Sequence, residues 1–104
     1  MVKHIIIWTL KDTFSEAEKE TIKKNIKAGL EGLMGKIDGL TDIRVQTDRL
    51  ESSNGDLMLD STFVSAEALK AYAVHPAHVE VADRDVRPFT AQRSCIDFEI
   101  QEEK

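Results

Sequence analysis

The stretch Val2–Leu10, "VKHIIIWTL", constrains the fold of this chain more than any other. It is rich in β-branched and aromatic residues, the composition of a strand. Alternate side chains of a strand point to opposite faces. Ile5 and Ile7 therefore share one face, and His4, Ile6, Trp8 and Leu10 share the other. Both faces are apolar, so this strand is expected in the middle of a sheet with a cover on each side.

The remaining elements follow from periodicity and punctuation. "SEAE" carries a capping box, Ser15 with Glu18, and opens a helix. Ile22, Ile26, Leu30 and Leu33 continue it at helical spacing opposite a Lys/Glu face, with Gly35 as the expected stop. A second strand is expected over Thr41–Thr47, where Ile43 and Val45 alternate with Arg44 and Gln46. "ESSNGD" reads as a turn, and a third strand runs from Leu57 to Val64. In that strand Leu57, Leu59 and Phe63 share one face. Ser65 caps a short helix through "AEALKAYAV". Pro76 disfavours a helical backbone at His75, so the helix breaks there and restarts over Pro76–Val86. "SCIDFEI" closes the series as a fourth strand.

The order β-α-β-β-α-β predicts an α+β domain, residues 1–104, with a four-stranded antiparallel sheet. Helices of this number cover one sheet face only. The second apolar face of Val2–Leu10 would then be wet in a monomer, and such patches mark interfaces or ligand sites. A homodimer packed face to face would cover it and enclose a cavity.

Composition narrows the partners. Net charge is −5, and the lysines of the first helix are interleaved with acids, so no basic surface suited to nucleic acid is expected. The run "IIIW" is too short for a membrane span or a signal segment. A single cysteine, Cys95, excludes an internal disulfide framework and suits a reducing, cytoplasmic setting. Phosphate loops, dinucleotide fingerprints and a serine nucleophile elbow are absent, and nothing in the pattern calls for a cofactor.

The chemistry-bearing residues gather in "YAVHPAHVEV", Tyr72–Val81, which holds two of the three histidines and the single tyrosine. With Pro76 at the first helical position, His75 becomes the cap and joint of the two pieces. His78 falls in the first turn, where the macrodipole disfavours imidazolium and keeps the ring neutral. A neutral imidazole facing an apolar cavity suits proton abstraction beside a carbonyl. The Tyr72 phenol could donate a hydrogen bond to the developing oxyanion. Asp97 could orient a histidine ring, either His4 or His78, or simply face solvent. His4 also fits a core histidine with satisfied nitrogens, and Tyr72 a core aromatic. Trp8 and Phe63 fit cavity walls or plain packing residues. The pair His75-x-x-His78 has a ligand-like spacing, but only His4 and Cys95 remain to complete a soft donor set, so no metal site is expected.

Three stretches together, "VKHIIIWTLKD", "DLMLDSTF" and "YAVHPAHVEVAD" followed by "CIDFE", resemble the stress-responsive A/B barrel domain (Dabb) family from Val2 to about Ile100. The resemblance implies a ferredoxin-like fold that dimerises into an α+β barrel. A plant member of that family is a polyketide cyclase that closes a linear substrate by an aldol reaction without a cofactor. By motif position its working tyrosine and histidine resemble Tyr72 and His78, and a cavity histidine and aspartate resemble His4 and Asp97. Leu57 stands where that cyclase has another cavity histidine, and the residues between Asp83 and Cys95 match poorly. The resemblance therefore implies three alternatives. The chain binds a hydrophobic small molecule in its barrel, or acts as a cofactor-free cyclase or lyase through Tyr72 and His78, or is a structural dimer without ligand. In the binding readings His4, Trp8, Leu57, Phe63 and Asp97 line the ligand.

Overall fold

In the computed structural model, which describes residues 1–101, Val2–Leu10 forms β1 and lies between two other strands. The last three residues of the expected domain, 102–104, lie outside the described residues. The other elements are α1 (Glu16–Glu31), β2 (Leu40–Gln46), β3 (Leu57–Phe63), α2 (Ala66–Val74), α3 (Pro76–Val81), a π-helical turn (Ala82–Val86) and β4 (Thr90–Glu99). The strands form one antiparallel sheet in the order β2-β3-β1-β4. The fold is the expected ferredoxin-like α+β arrangement, with the helices on one face.

Alternation decides which face is covered. Val2, His4, Ile6, Trp8 and Leu10 of β1 are buried beneath the helices. They join Ile43 and Val45 of β2, Leu57, Leu59 and Phe63 of β3, and Ile22, Ile26, Leu30 and Leu33 from α1 and its following turn. The opposite face carries Ile5 and Ile7, with Ile96 and Phe98 beside them on β4. Ile7, Ile96 and Phe98 are 45%, 60% and 43% exposed, so the second apolar face inferred from β1 is open in the single chain.

The capping box forms as expected: the Glu18 amide donates to Ser15 Oγ at 3.1 Å, and the Ser15 amide to Glu18 Oε1 at 2.9 Å. β2 and the end of β3 shift by one residue from the sequence reading, and three boundaries differ by more. α1 ends at Glu31 with Gly32 as its cap, and Gly35 instead takes a positive φ of 86° in the loop beyond. The helix restarted at Pro76 does not run unbroken to Val86. After Val81 the backbone widens into a π-turn, in which the Arg87 amide bonds the Ala82 carbonyl five residues back at 2.8 Å. β4 starts at Thr90 rather than Ser94. Its first residues, "TAQR", have no apolar alternation to reveal them, because β4 is an edge strand that the helices do not cover.

One glycine sets how closely the helix layer packs over the site. A Cβ on Gly29 of α1 would stand 2.7 Å from Asp85 Oδ2 and 2.8 Å from Val81 Cγ1. Its absence lets α1 press against α3 and the π-turn. No helix among the described residues is long and apolar enough to cross a membrane.

Candidate functional site

The break at His75 assembles the site. In an unbroken helix, residues six apart point roughly 120° away from each other. His75 instead has an extended ψ of 132°, and its Nδ1 accepts a hydrogen bond from the Ala77 amide at 3.1 Å, capping α3. The chain folds back on itself there, and the His78 ring stacks on Tyr72 with centroids 4.2 Å apart and planes 35° apart. His75 is thus the joint, as expected, and its Nδ1 lone pair is committed to the backbone.

Tyr72 is the one buried residue of α2. Its ring meets Phe63 edge-on at 4.9 Å and His4 at 6.2 Å. The residue is 1% exposed, yet its hydroxyl has no hydrogen-bond partner among the described residues. Burial raises the phenol well above its usual range, so the group is a hydrogen-bond donor and not a base at neutral pH.

The two histidines are arranged alike. His4 Nδ1 lies 2.5 Å from Asp97 Oδ1, across the β1–β4 pair in which the two residues are direct partners. The carboxylate can only accept, so Nδ1 carries the hydrogen and Nε2 is left over. Ser61 Oγ, fully buried, donates to the His4 carbonyl at 2.9 Å and pins the strand beneath the ring. His78 Nδ1 is 3.3 Å from the Ala73 carbonyl, which again requires the hydrogen on Nδ1 and leaves Nε2 as an acceptor. Burial lowers the His78 pKa, and the Arg87 and Arg93 guanidinium groups lower it further, against the Ala73 bond. Desolvation and the nearby guanidinium groups thus favour the neutral ring expected of His78.

Between the sheet and the helices these side chains face a cavity of about 140 Å³. His4, Tyr72 and His78 supply polar groups, and Ile6, Trp8, Leu30, Leu59, Leu69 and Val86 supply apolar wall. The cavity therefore lies inside one protomer, under its own helices. His4, Ile6 and Trp8 of β1 point toward the helix layer, so this cavity lies on the sheet face opposite to the one expected to pair in a dimer.

Of the expected ligand-lining residues, His4 and Trp8 reach the cavity. Leu57 and Phe63 do not: Leu57 is buried in the core opposite Trp8, and Phe63, 0% exposed, packs edge-on against Tyr72 and His4. Asp97 is not in the wall either; it holds His4, which decides between the two histidines it could have oriented. Arg87 and Arg93 line the cavity and were not legible beforehand. Arg87 is delivered by the π-turn and Arg93 by the early start of β4, the two features that periodicity missed.

The donor cluster that gathers is not His75 with His78 but His4, Cys95 and Asp97, whose ligand atoms lie within 4.8 Å of one another. The His4–Asp97 pair already shares a hydrogen. Cys95 Sγ is 3.5 Å from Asp97 Oδ1, and burial, then the Asp97 charge, pushes its thiol pKa up. At neutral pH the cluster is a hydrogen-bonded set rather than a thiolate ligand set.

A family model, Stress responsive A/B Barrel Domain (Dabb), matches the chain over residues 2–100. The chain belongs to the Dabb family. Among curated proteins, this Dabb chain is 31% identical over 85 residues to olivetolic acid cyclase of Cannabis sativa, covering 79% of this chain and 80% of the cyclase. A solved structure from Bacteroides fragilis, described as a dimeric protein of unknown function with a ferredoxin-like fold, superposes with a TM-score of 0.89. It is 29% identical and covers 95% of each chain. Hydroxynitrile lyase from Passiflora edulis shares the fold, with a TM-score of 0.72 at 18% identity over 99% of this chain and 95% of the lyase.

Proposed function

We propose that this Dabb protein is a single-domain homodimer of the cytoplasm, each protomer of which binds a small, mainly apolar molecule carrying an oxygen acceptor. The observation that carries the reading is the Tyr72 hydroxyl, buried without a partner at an apolar cavity. An unmade hydrogen bond on a buried hydroxyl costs about 1–3 kcal/mol, so an occupant that accepts this bond removes that penalty. The open face with Ile7, Ile96 and Phe98 supports the homodimer, as do the dimeric ferredoxin-like relatives. With the cavity on the other side of the sheet, each protomer keeps its own site.

A second reading, a cofactor-free cyclase or lyase, draws on one further observation: the Ala73 carbonyl holds His78 in the tautomer whose Nε2 is free to accept. In that reading Nε2 takes a proton from carbon beside a carbonyl, and the Tyr72 hydroxyl donates to the oxygen on which charge then develops. The relationship to olivetolic acid cyclase supports a site of this kind without naming the substrate. A structural dimer without ligand leaves the orphan hydroxyl unexplained.

The test is a fragment screen by protein NMR on the wild type, Tyr72→Phe and His78→Ala. Oxygen-bearing apolar fragments should shift the Trp8, Tyr72 and His78 resonances, with weaker binding to Tyr72→Phe. Shifts confined to the open sheet face, or no binder at all, would remove the reading. Conversion of a bound fragment that disappears in His78→Ala would favour the enzyme over the carrier.

A further inference from the structure

We propose that the cavity selects ligands with an anionic head group, carboxylate or phosphate, and that Arg93 makes the selection. The inference rests on the small-molecule reading above and adds the class of molecule.

Two guanidinium groups border a mainly apolar cavity in a chain whose net charge is −5. They are not equivalent. Arg87 is ion-paired with Asp83, four residues earlier. Arg93 makes no ion pair among the described residues, although acids outnumber bases in this chain. Its position on β4 pairs it with Trp8, on the cavity side of the sheet. Its neighbour along that side, Cys95, is a neutral thiol and offers no countercharge. Arg93 itself is exposed, which puts it at the rim, whereas Tyr72 is buried at the interior.

Size fixes the other half of the ligand. An apolar protein cavity of roughly 150 Å³ accommodates one benzene ring. A cavity of about 140 Å³ thus takes a body the size of one ring or a short chain. With that body against Ile6, Trp8 and Leu59, a charged head remains at the rim, where the planar fork of a guanidinium can hold two oxygens at once. An acidic chain repels anions at long range, so selection here depends on the rim contact and not on the field of the whole molecule.

Benzoate, phenyl phosphate and benzyl alcohol, titrated by NMR at low salt, share one ring and separate the possibilities. The variants are Arg93→Gln and, as a charge-matched control on the exposed face of α1, Lys24→Gln. Arg93 is exposed on an edge strand, so its substitution leaves the core intact. At least one of the two anions should bind about tenfold or more tightly than the alcohol, the scale of one charge-assisted pair. Which anion wins identifies the head group. Arg93→Gln should erase the preference while holding the alcohol within about twofold, and Lys24→Gln should change neither. Raising the salt to about 1 M should weaken the anion selectively. If the alcohol binds as tightly as both anions, or the preference survives in Arg93→Gln, the inference is wrong while the cavity reading stands. If none of the three binds, both fall.

Discussion

Tyr72 and His78 show how one hydrogen bond more or less decides what a side chain can do. Tyr72 is held by Phe63, His4 and His78 around its ring, but its hydroxyl is left over. Tyr72→Phe should therefore leave the unliganded protein as stable as the wild type, or up to about 1 kcal/mol more stable, by urea denaturation. A loss above about 1 kcal/mol would mean that the hydroxyl already has a partner. His78 carries a pH signature. Its pKa in the folded chain lies below the unfolded value of about 6.5. The unfolded state then takes up the proton first as pH falls, so the stability tied to the neutral ring is present above pH 6.5 and is lost on acidification through the folded pKa. Thermal midpoints measured from pH 7.5 to 5 should fall less steeply for His78→Gln than for the wild type. Parallel slopes would show that His78 is not the residue responsible.

At the scale of elements, the helix layer is positioned by one close approach and one irregular turn. Ala normally gains about 1 kcal/mol over Gly inside a helix. At Gly29 the added methyl meets Asp85 and Val81 below 3 Å, so the sign should reverse. Gly29→Ala is expected to cost about 1–3 kcal/mol, the usual penalty of overpacking. Because α3 and the π-turn would be pushed off α1, the Tyr72–His78 stack should loosen with it, visible as altered ring-current shifts of His78. A stabilised variant would mean that α1 can slide away freely. The π-turn is the element hardest to foresee. Its residues, "ADRDV", continue a plausible helix, yet the backbone widens there against α1, and Val86 and Arg87 line the cavity.

For the whole molecule, the sheet separates two tasks. One face, under the helices, carries the cavity; the other, with Ile5, Ile7, Ile96 and Phe98, is open and apolar. The proposed homodimer uses the open face. Ile96 sits opposite Ile5 on that face, so Ile96→Lys should give a monomer by sedimentation at micromolar concentration, with its helix and sheet content unchanged by circular dichroism. A wild type that sediments as a monomer would overturn the dimer. Since the cavity does not depend on the partner sheet, fragment binding at Tyr72 should persist in that monomer.

Local rules in the sequence suffice for β1 with its two apolar faces, for the Ser15–Glu18 cap, for the joint at His75–Pro76, and so for the strand–helix order of the fold. Each rests on contacts between residues close in the chain. The location of the cavity, the choice of His4 as the partner of Asp97, the withdrawal of Leu57 and Phe63 from the wall, and the arrival of Arg87 and Arg93 were decided by the tertiary structure alone. His4 and Asp97 are 93 residues apart, and the register of an edge strand whose first residues lack apolar alternation is set only when it pairs with β1. Local pattern carries no information about such a pairing, and the pairing determines which side chains share the cavity.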